Sequence, residues 1–157
     1  MSREIEFIKE AIALSRKGML NNDGGPFGCV IVKDGIVVGR GWNQVTSTND
    51  PTAHAEVVAI RDACRQLGTF QLEDCEVYTS CEPCPMCMGA IYWARPKKVY
   101  FASTKQDAAD AGFDDSFIYE ELALPIHSRK IAIECLGRDE AVEVFKEWIN
   151  KKDKTAY

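Results

Sequence analysis

A histidine and two cysteines stand at metal-ligand spacing in this chain. Pro51-Thr52-Ala53-His54-Ala55-Glu56 reads H-x-E, and Ser80-Cys81-Glu82-Pro83-Cys84-Pro85-Met86-Cys87 reads P-C-x-x-C. One imidazole and two thiolates can hold a zinc ion and leave its fourth tetrahedral position open to water, the arrangement of a catalytic site. Mixed sulfur and nitrogen ligation suits zinc, which brings no redox chemistry. Bound zinc lowers the pKa of water toward roughly 7. Glu56 is placed to move the protons of that water and is not itself expected to be a ligand.

Cys81 leaves a second arrangement open. With Cys84 and Cys87 it makes C-x2-C-x2-C, and a closed site of three Cys and one His would take Cys81 as fourth ligand and exclude water. An iron–sulfur cluster is disfavoured, because no fourth Cys follows three residues after Cys87. Glu56 favours the open, catalytic form, since a structural zinc has no use for it. Cys29, Cys64, Cys75 and Cys135 lie in or beside predicted elements and read as ordinary buried residues. His127 is isolated in a predicted loop.

The elements must bring these residues together. In mid-helix, His54 and Glu56 would point to nearly opposite sides. They can serve one site only at an open helix start, and the sequence predicts a helix over 53–67 ending at Gly68. Cys84 and Cys87 also open a helix, predicted over 84–94 straight after Pro83. Two helix N-termini directed at one ion favour the thiolate form of Cys.

Upstream, Ile5, Ile8 and Ile12 give a helix through Lys17, with Gly18 as its stop. Strands at 27–33 and 36–42 flank Asp34-Gly35, a hairpin turn, and residues 43–52 read as irregular. Further strands are predicted at 76–79, 98–102 and 129–136. Helices are predicted at 103–111 and 139–149, and 113–121 is mixed in character. A hairpin followed by alternating strands and helices predicts a three-layer α/β/α domain with a mixed sheet of about five strands.

Composition sets the outer bounds. The chain has 157 residues, 46% of them hydrophobic and 27% charged. That fits one globular domain over 1–157. No apolar run approaches the roughly 20 residues of a membrane span, and the N-terminus lacks the basic and apolar regions of a secretory signal. The net charge is −5. It speaks against a nucleic-acid surface, which needs clustered Lys and Arg. The one basic cluster, Arg95-Pro96-Lys97-Lys98, reads as a solvated loop. Seven Cys is an odd count, and without a signal peptide reduced thiols in the cytoplasm are expected.

The H-x-E and P-C-x-x-C pair is the signature of zinc-dependent nucleobase deaminases. The chain resembles the cytidine deaminase-like superfamily and, within it, the bacterial guanine deaminases. The resemblance runs nearly end to end. It is carried by Gly25-Pro26-Phe27-Gly28, the stretches from Asn49 to Glu56 and from Tyr78 to Cys87, Gly89 to Pro96, and Ala111 to Tyr119. The zinc motifs point to the superfamily, and Gly112-Phe113-Asp114-Asp115-Ser116-Phe117-Ile118-Tyr119 points to the guanine branch.

The resemblance implies the cytidine deaminase-like fold and hydrolysis of guanine to xanthine and ammonia, a step of purine catabolism. Zinc-bound hydroxide would attack C2 and Glu56 would shuttle protons. It implies one Zn2+ per chain on His54, Cys84 and Cys87, with Cys81 unbound. Asn43, Phe27 and Ala55 would meet the base. Asp115 would meet the guanine edge and share in the catalysis. The implied partners are the purine and a second copy of the chain, with exchange of the C-terminal segment. Residues 150–157 would form a lid closing Tyr157 over a site.

Two of these roles also make chemical sense unaided. Guanine shows donors at N1 and at its exocyclic amine, and a carboxylate is an acceptor-only partner for them. An Asn amide can pair with a mixed donor/acceptor edge. Rival readings are a guanosine deaminase, a tRNA adenosine deaminase, cytidine or cytosine deamination, and a zinc-stabilised binding module without enzymatic activity. The Asp-Asp-Ser-Phe-Ile stretch disfavours the tRNA and cytidine readings, and the acidic charge also disfavours the tRNA reading.

Overall fold

The computed structural model describes residues 1–157. The chain divides into two compact units, Met1–Asp115 and Ser116–Tyr157. The first unit carries a four-stranded sheet in the order β2-β1-β3-β4. Helix α1 spans Arg3–Leu20, and the Ser2 hydroxyl caps it by accepting the Ile5 N–H at 3.4 Å. Strands β1 (Gly28–Lys33) and β2 (Ile36–Trp42) form the hairpin expected around Asp34-Gly35. Both turn residues have positive φ, 50° and 77°, which matches the turn to the right-handed twist of the strands.

A four-residue helix α2 (Val45–Thr48) occupies part of the stretch expected to be irregular. Then follow α3 (Ala55–Leu67), β3 (Cys75–Cys81), α4 (Pro85–Ala94), β4 (Lys98–Ser103) and α5 (Lys105–Asp110). Gly68 ends α3 in the left-handed region at φ 65°, as a helix C-terminus commonly requires.

β1 pairs antiparallel with both β2 and β3, and β3 pairs parallel with β4. The sheet is therefore mixed, as expected, with helices on both faces. Alternation along β1 shows this. Cys29 and Ile31 pack in a cluster with Ala55, Ala59, Ala63 and Ile91 of α3 and α4. Val30 and Val32 pack with Tyr78 against Phe7, Ile8 and Leu14 of α1. β1 is inner and buried on both faces, which accounts for its unbroken apolar run.

α3 lies unusually close to β2, and two glycines permit it. A Cβ on Gly41 would lie 2.2 Å from the Ala55 carbonyl oxygen and 2.4 Å from the Ala59 nitrogen; on Gly39 it would lie 2.6 Å from Ala63 Cβ. The small face of α3 answers them, with Ala55, Ala59 and Ala63 all fully buried.

The second unit contains α6 (Ser116–Ala123), a short 3-10 turn at Ile126–Ser128 and α7 (Arg138–Asn150). None of its residues is buried. His127 sits exposed in the 3-10 turn.

Three expectations are corrected. Residues 129–136 form no strand, so the sheet has four strands and not about five. Ile131 and Ile133 give the segment strand propensity, but propensity alone does not make a ladder. Cys135, in that segment, is exposed and not buried. Gly18 does not stop α1, which runs on to Leu20. The Gly18 site is filled by Trp42, whose Cδ1 would lie 2.5 Å from a Cβ there; the glycine answers packing and not chain reversal. No helix is long and apolar enough to cross a membrane.

The Gly41 contact yields a test. Gly41→Ala must push the first turns of α3 off the sheet, at a cost of about 1–3 kcal/mol. Urea unfolding should report that loss, and a zinc titration should show weaker binding through the displaced start of α3.

Candidate active site

His54 and Cys84 occupy equivalent positions on two helices. Each is the N-cap residue, in extended conformation, of α3 and α4 respectively. Pro85 follows Cys84 at the first helical position, where the missing N–H costs nothing. Cys87 lies in the first turn of α4. The placement resolves the spacing problem of H-x-E: His54 is outside the helix and Glu56 is inside its first turn.

The ligand atoms of His54, Cys84 and Cys87 lie within 4.8 Å of one another. His54 Nδ1 is 3.5 Å from each of the two Sγ atoms. Zinc bonds of about 2.3 Å to sulfur and about 2.1 Å to nitrogen, at a tetrahedral angle, put such donors roughly 3.6 Å apart. The donor set and its spacing therefore fit zinc. Cys81 stands outside this group; its thiol is directed to the Thr104 carbonyl oxygen at 3.7 Å. The closed site of three cysteines is thus not the one assembled here.

The two thiols share their protons unequally. A hydrogen bond from Cys87, joined by one from His54, draws Cys84 down to about 4 against the effect of burial. Cys87 moves well upward, through its bond to Cys84, through burial and through the nearby Glu56 charge. His54 is raised by its bond to Cys84. Together they form a partly anionic nest, as a cation site requires.

Glu56 is 5% exposed. Burial pushes its carboxyl up, opposed by its own backbone N–H and by the Thr79 hydroxyl. The Thr79 hydroxyl donates to Glu56 Oε1 at 2.8 Å. Residue spacing gave no hint of Thr79. The signal was its strand: Thr79 shares a face of β3 with Val77 of the α3-side cluster, but the facing residue depends on register.

Asn43 follows β2 directly and is 7% exposed. Its Oδ1 accepts the Gly25 N–H at 3.3 Å and the Val45 N–H at 3.1 Å. Both bonds use the carbonyl end, so the end left to a ligand is the donor NH2. Gly24 lies against this amide; a Cβ there would be 2.1 Å from Oδ1. Asp23 braces the same corner, taking the Trp42 indole N–H at 2.9 Å and, through its carbonyl, the Ser47 N–H at 3.1 Å. These supports were also invisible to motif reading.

Phe27 is half-buried, and its carbonyl accepts the Asn43 N–H at 3.0 Å. Its ring meets Phe113 edge-on at 5.0 Å. Ala55 is the fully buried first residue of α3, between His54 and Glu56. Asp115 is half-buried, and burial together with the Cys84 charge raises its carboxyl. Tyr157 is 72% exposed at the end of the second unit.

Comparison with known proteins bears on the whole arrangement. Residues 1–103 match the model of the cytidine and deoxycytidylate deaminase zinc-binding region. Guanine deaminase of Bacillus subtilis is 55% identical over 151 residues, covering 96% of this chain and 97% of that protein. The X-ray structure of guanine deaminase from Bacillus subtilis superposes with a TM-score of 0.96 at 54% identity, over 100% of this chain and 99% of the other. The tRNA-specific adenosine deaminase of Aquifex aeolicus is 34% identical over 145 residues, 92% of this chain and 93% of that one. Sequence, fold and the His–Cys–Cys cluster agree: the chain belongs to the cytidine and deoxycytidylate deaminase zinc-binding family.

Proposed function

We infer that this chain is a guanine deaminase, hydrolysing guanine to xanthine and ammonia with one zinc ion per chain. The observation that carries the reading is the His54, Cys84 and Cys87 cluster beside a buried carboxylate, on a chain 55% identical almost end to end to a guanine deaminase.

His54, Cys84 and Cys87 would hold the metal. Zinc bound there supplies Lewis acidity, which makes a water molecule a stronger acid. Glu56 takes a proton from the attacking water and delivers protons to the ring and to the departing amine. The burial that raises its carboxyl brings its proton affinity nearer to what such a shuttle needs. Water oxygen adds to C2 as the ring nitrogen takes a proton; the C2–N bond then breaks, its electron pair leaving with the protonated amine as ammonia.

Asn43 and Asp115 read the base. The Asn43 NH2, with its carbonyl end already engaged, donates to a ring or carbonyl acceptor of the purine. The Asp115 carboxylate accepts from N1–H and the exocyclic amine and helps carry protons there. Together they form a donor–acceptor pattern that leaves polar groups unpaired with a wrong base. Phe27, edge-on to Phe113, and the backbone of Ala55 flank the ring.

The working form is a homodimer with exchanged C-terminal segments. Two features support this. Strand β4 has β3 on one side and an open edge on the other. The segment 129–136 has strand-forming composition without a ladder, and its unit buries no residue. Each chain then acts as one deaminase domain over 1–157, with residues 150–157 closing Tyr157 over a site.

The deciding assay offers guanine, guanosine, cytidine and a tRNA substrate in turn. Ammonia is expected from guanine alone, with one zinc per chain by metal analysis and loss of turnover on chelation. Release from guanosine would enlarge the pocket, and release from the tRNA alone would overturn the reading. Glu56→Gln should retain zinc and lose on the order of 10²–10⁴ in kcat. Light scattering should give twice the 17.5 kDa chain mass. Deleting residues 155–157 should impair turnover at full zinc content; unchanged kinetics would remove the lid.

A further inference from the structure

We propose that Thr79 is a positioning residue that fixes which oxygen of Glu56 carries the proton. The inference rests on the guanine-deaminase reading and deepens it.

Thr79 lies on β3, in register with Cys29 of β1, and is 1% exposed. Its hydroxyl has one proton and two acceptors in reach, Glu56 Oε1 at 2.8 Å and the Gly28 carbonyl oxygen at 3.4 Å. The shorter contact takes the proton, because a hydrogen bond to a carboxylate is stronger than one to a carbonyl. The Glu56 carboxyl is thereby held by one oxygen from the sheet side.

A proton shuttle needs that constraint. Glu56 must accept a proton and give it up on the substrate side. A carboxyl that turns over, or that takes its proton on the buried oxygen, would strand the proton in the core. With Oε1 engaged as acceptor of the Thr79 hydroxyl, the incoming proton goes to Oε2. When Oε2 is protonated, Oε1 is a carbonyl oxygen and still accepts from Thr79. The bond persists through both halves of the transfer, and nothing needs to reorient between them.

The other polar side chains around Glu56 cannot substitute. Cys29 is fully buried and its thiol is directed to the Val30 carbonyl at 3.9 Å. The Cys87 thiol also bonds to Glu56, but Cys87 belongs to the candidate metal cluster, and a thiol that ligates a metal gives up its proton and can no longer donate. Removing the only hydroxyl donor to the carboxylate should therefore act on the proton-transfer step and leave the binding of guanine alone.

Thr79→Val keeps shape and strand propensity and deletes the donor; Thr79→Ser keeps the donor and deletes a methyl. Thr79→Val should lower kcat roughly 10- to 100-fold, with KM and zinc content unchanged, and Thr79→Ser should stay within about threefold of the parent. In crystals of zinc-loaded Thr79→Val, the Glu56 carboxyl should turn away from its position in the parent. The proposal is overturned if Thr79→Val turns over like the parent, or if it raises KM alone. It is also overturned if both variants are equally impaired and equally less stable to heat. The parent protein, assayed alongside, keeps the two readings apart. If the parent fails on guanine, the substrate reading falls, and the Glu56 orientation in the crystals alone decides the role of Thr79.

Discussion

The close approach of α3 to β2 governs the rest of the molecule. Where Gly41 meets the Ala55 carbonyl, no side chain separates helix from sheet. That contact sets the height of the first turn of α3 and so places His54 at its cap and Glu56 in its interior. α4 meets the same point because Cys84 ends the loop leaving β3, the strand that pairs with β1. A cluster of ligand atoms within 4.8 Å of one another thus depends on the absence of two β-carbons, at Gly41 against the first turns of α3 and at Gly39 further along it.

The same economy explains the polar shell. Asn43 directly follows β2, and its carbonyl end is consumed by the Gly25 and Val45 amides. The loop 21–26 and the turn around α2 hold that amide from two sides, with Asp23 linking them. The carboxamide is thereby fixed in orientation, with its NH2 end turned away from both backbone donors. Rigidity here comes from backbone amides and requires little of the neighbouring side chains.

Much of the site was legible because metal ligation and helix starts both leave local marks. H-x-E and P-C-x-x-C fixed four residues, and the need for an open helix end located them at N-termini. Spacing left Cys81 open as a ligand; the structure turns its thiol to Thr104 and groups His54, Cys84 and Cys87 without it. Thr79 was not legible, since its partner lies 23 residues away in sequence and depends on strand register. Gly18 misled for a related reason: a glycine can serve packing as well as termination, and Trp42 decides between them. The fifth strand failed on a different ground. Residues 129–136 have the right alternation, but one chain does not determine what they pair with.

The electrostatics of the pocket reach beyond catalysis. The Cys84 charge pushes the Glu56 carboxyl up, and the Glu56 and Cys84 charges push the Cys87 thiol up. Evolution has concentrated in one buried place groups that a folded chain would rather keep apart. A divalent cation held by His54, Cys84 and Cys87 would relieve that repulsion. Metal uptake at such a site would therefore also stabilise the fold. The amount of native protein in a zinc-poor cell would then follow metal supply as well as synthesis.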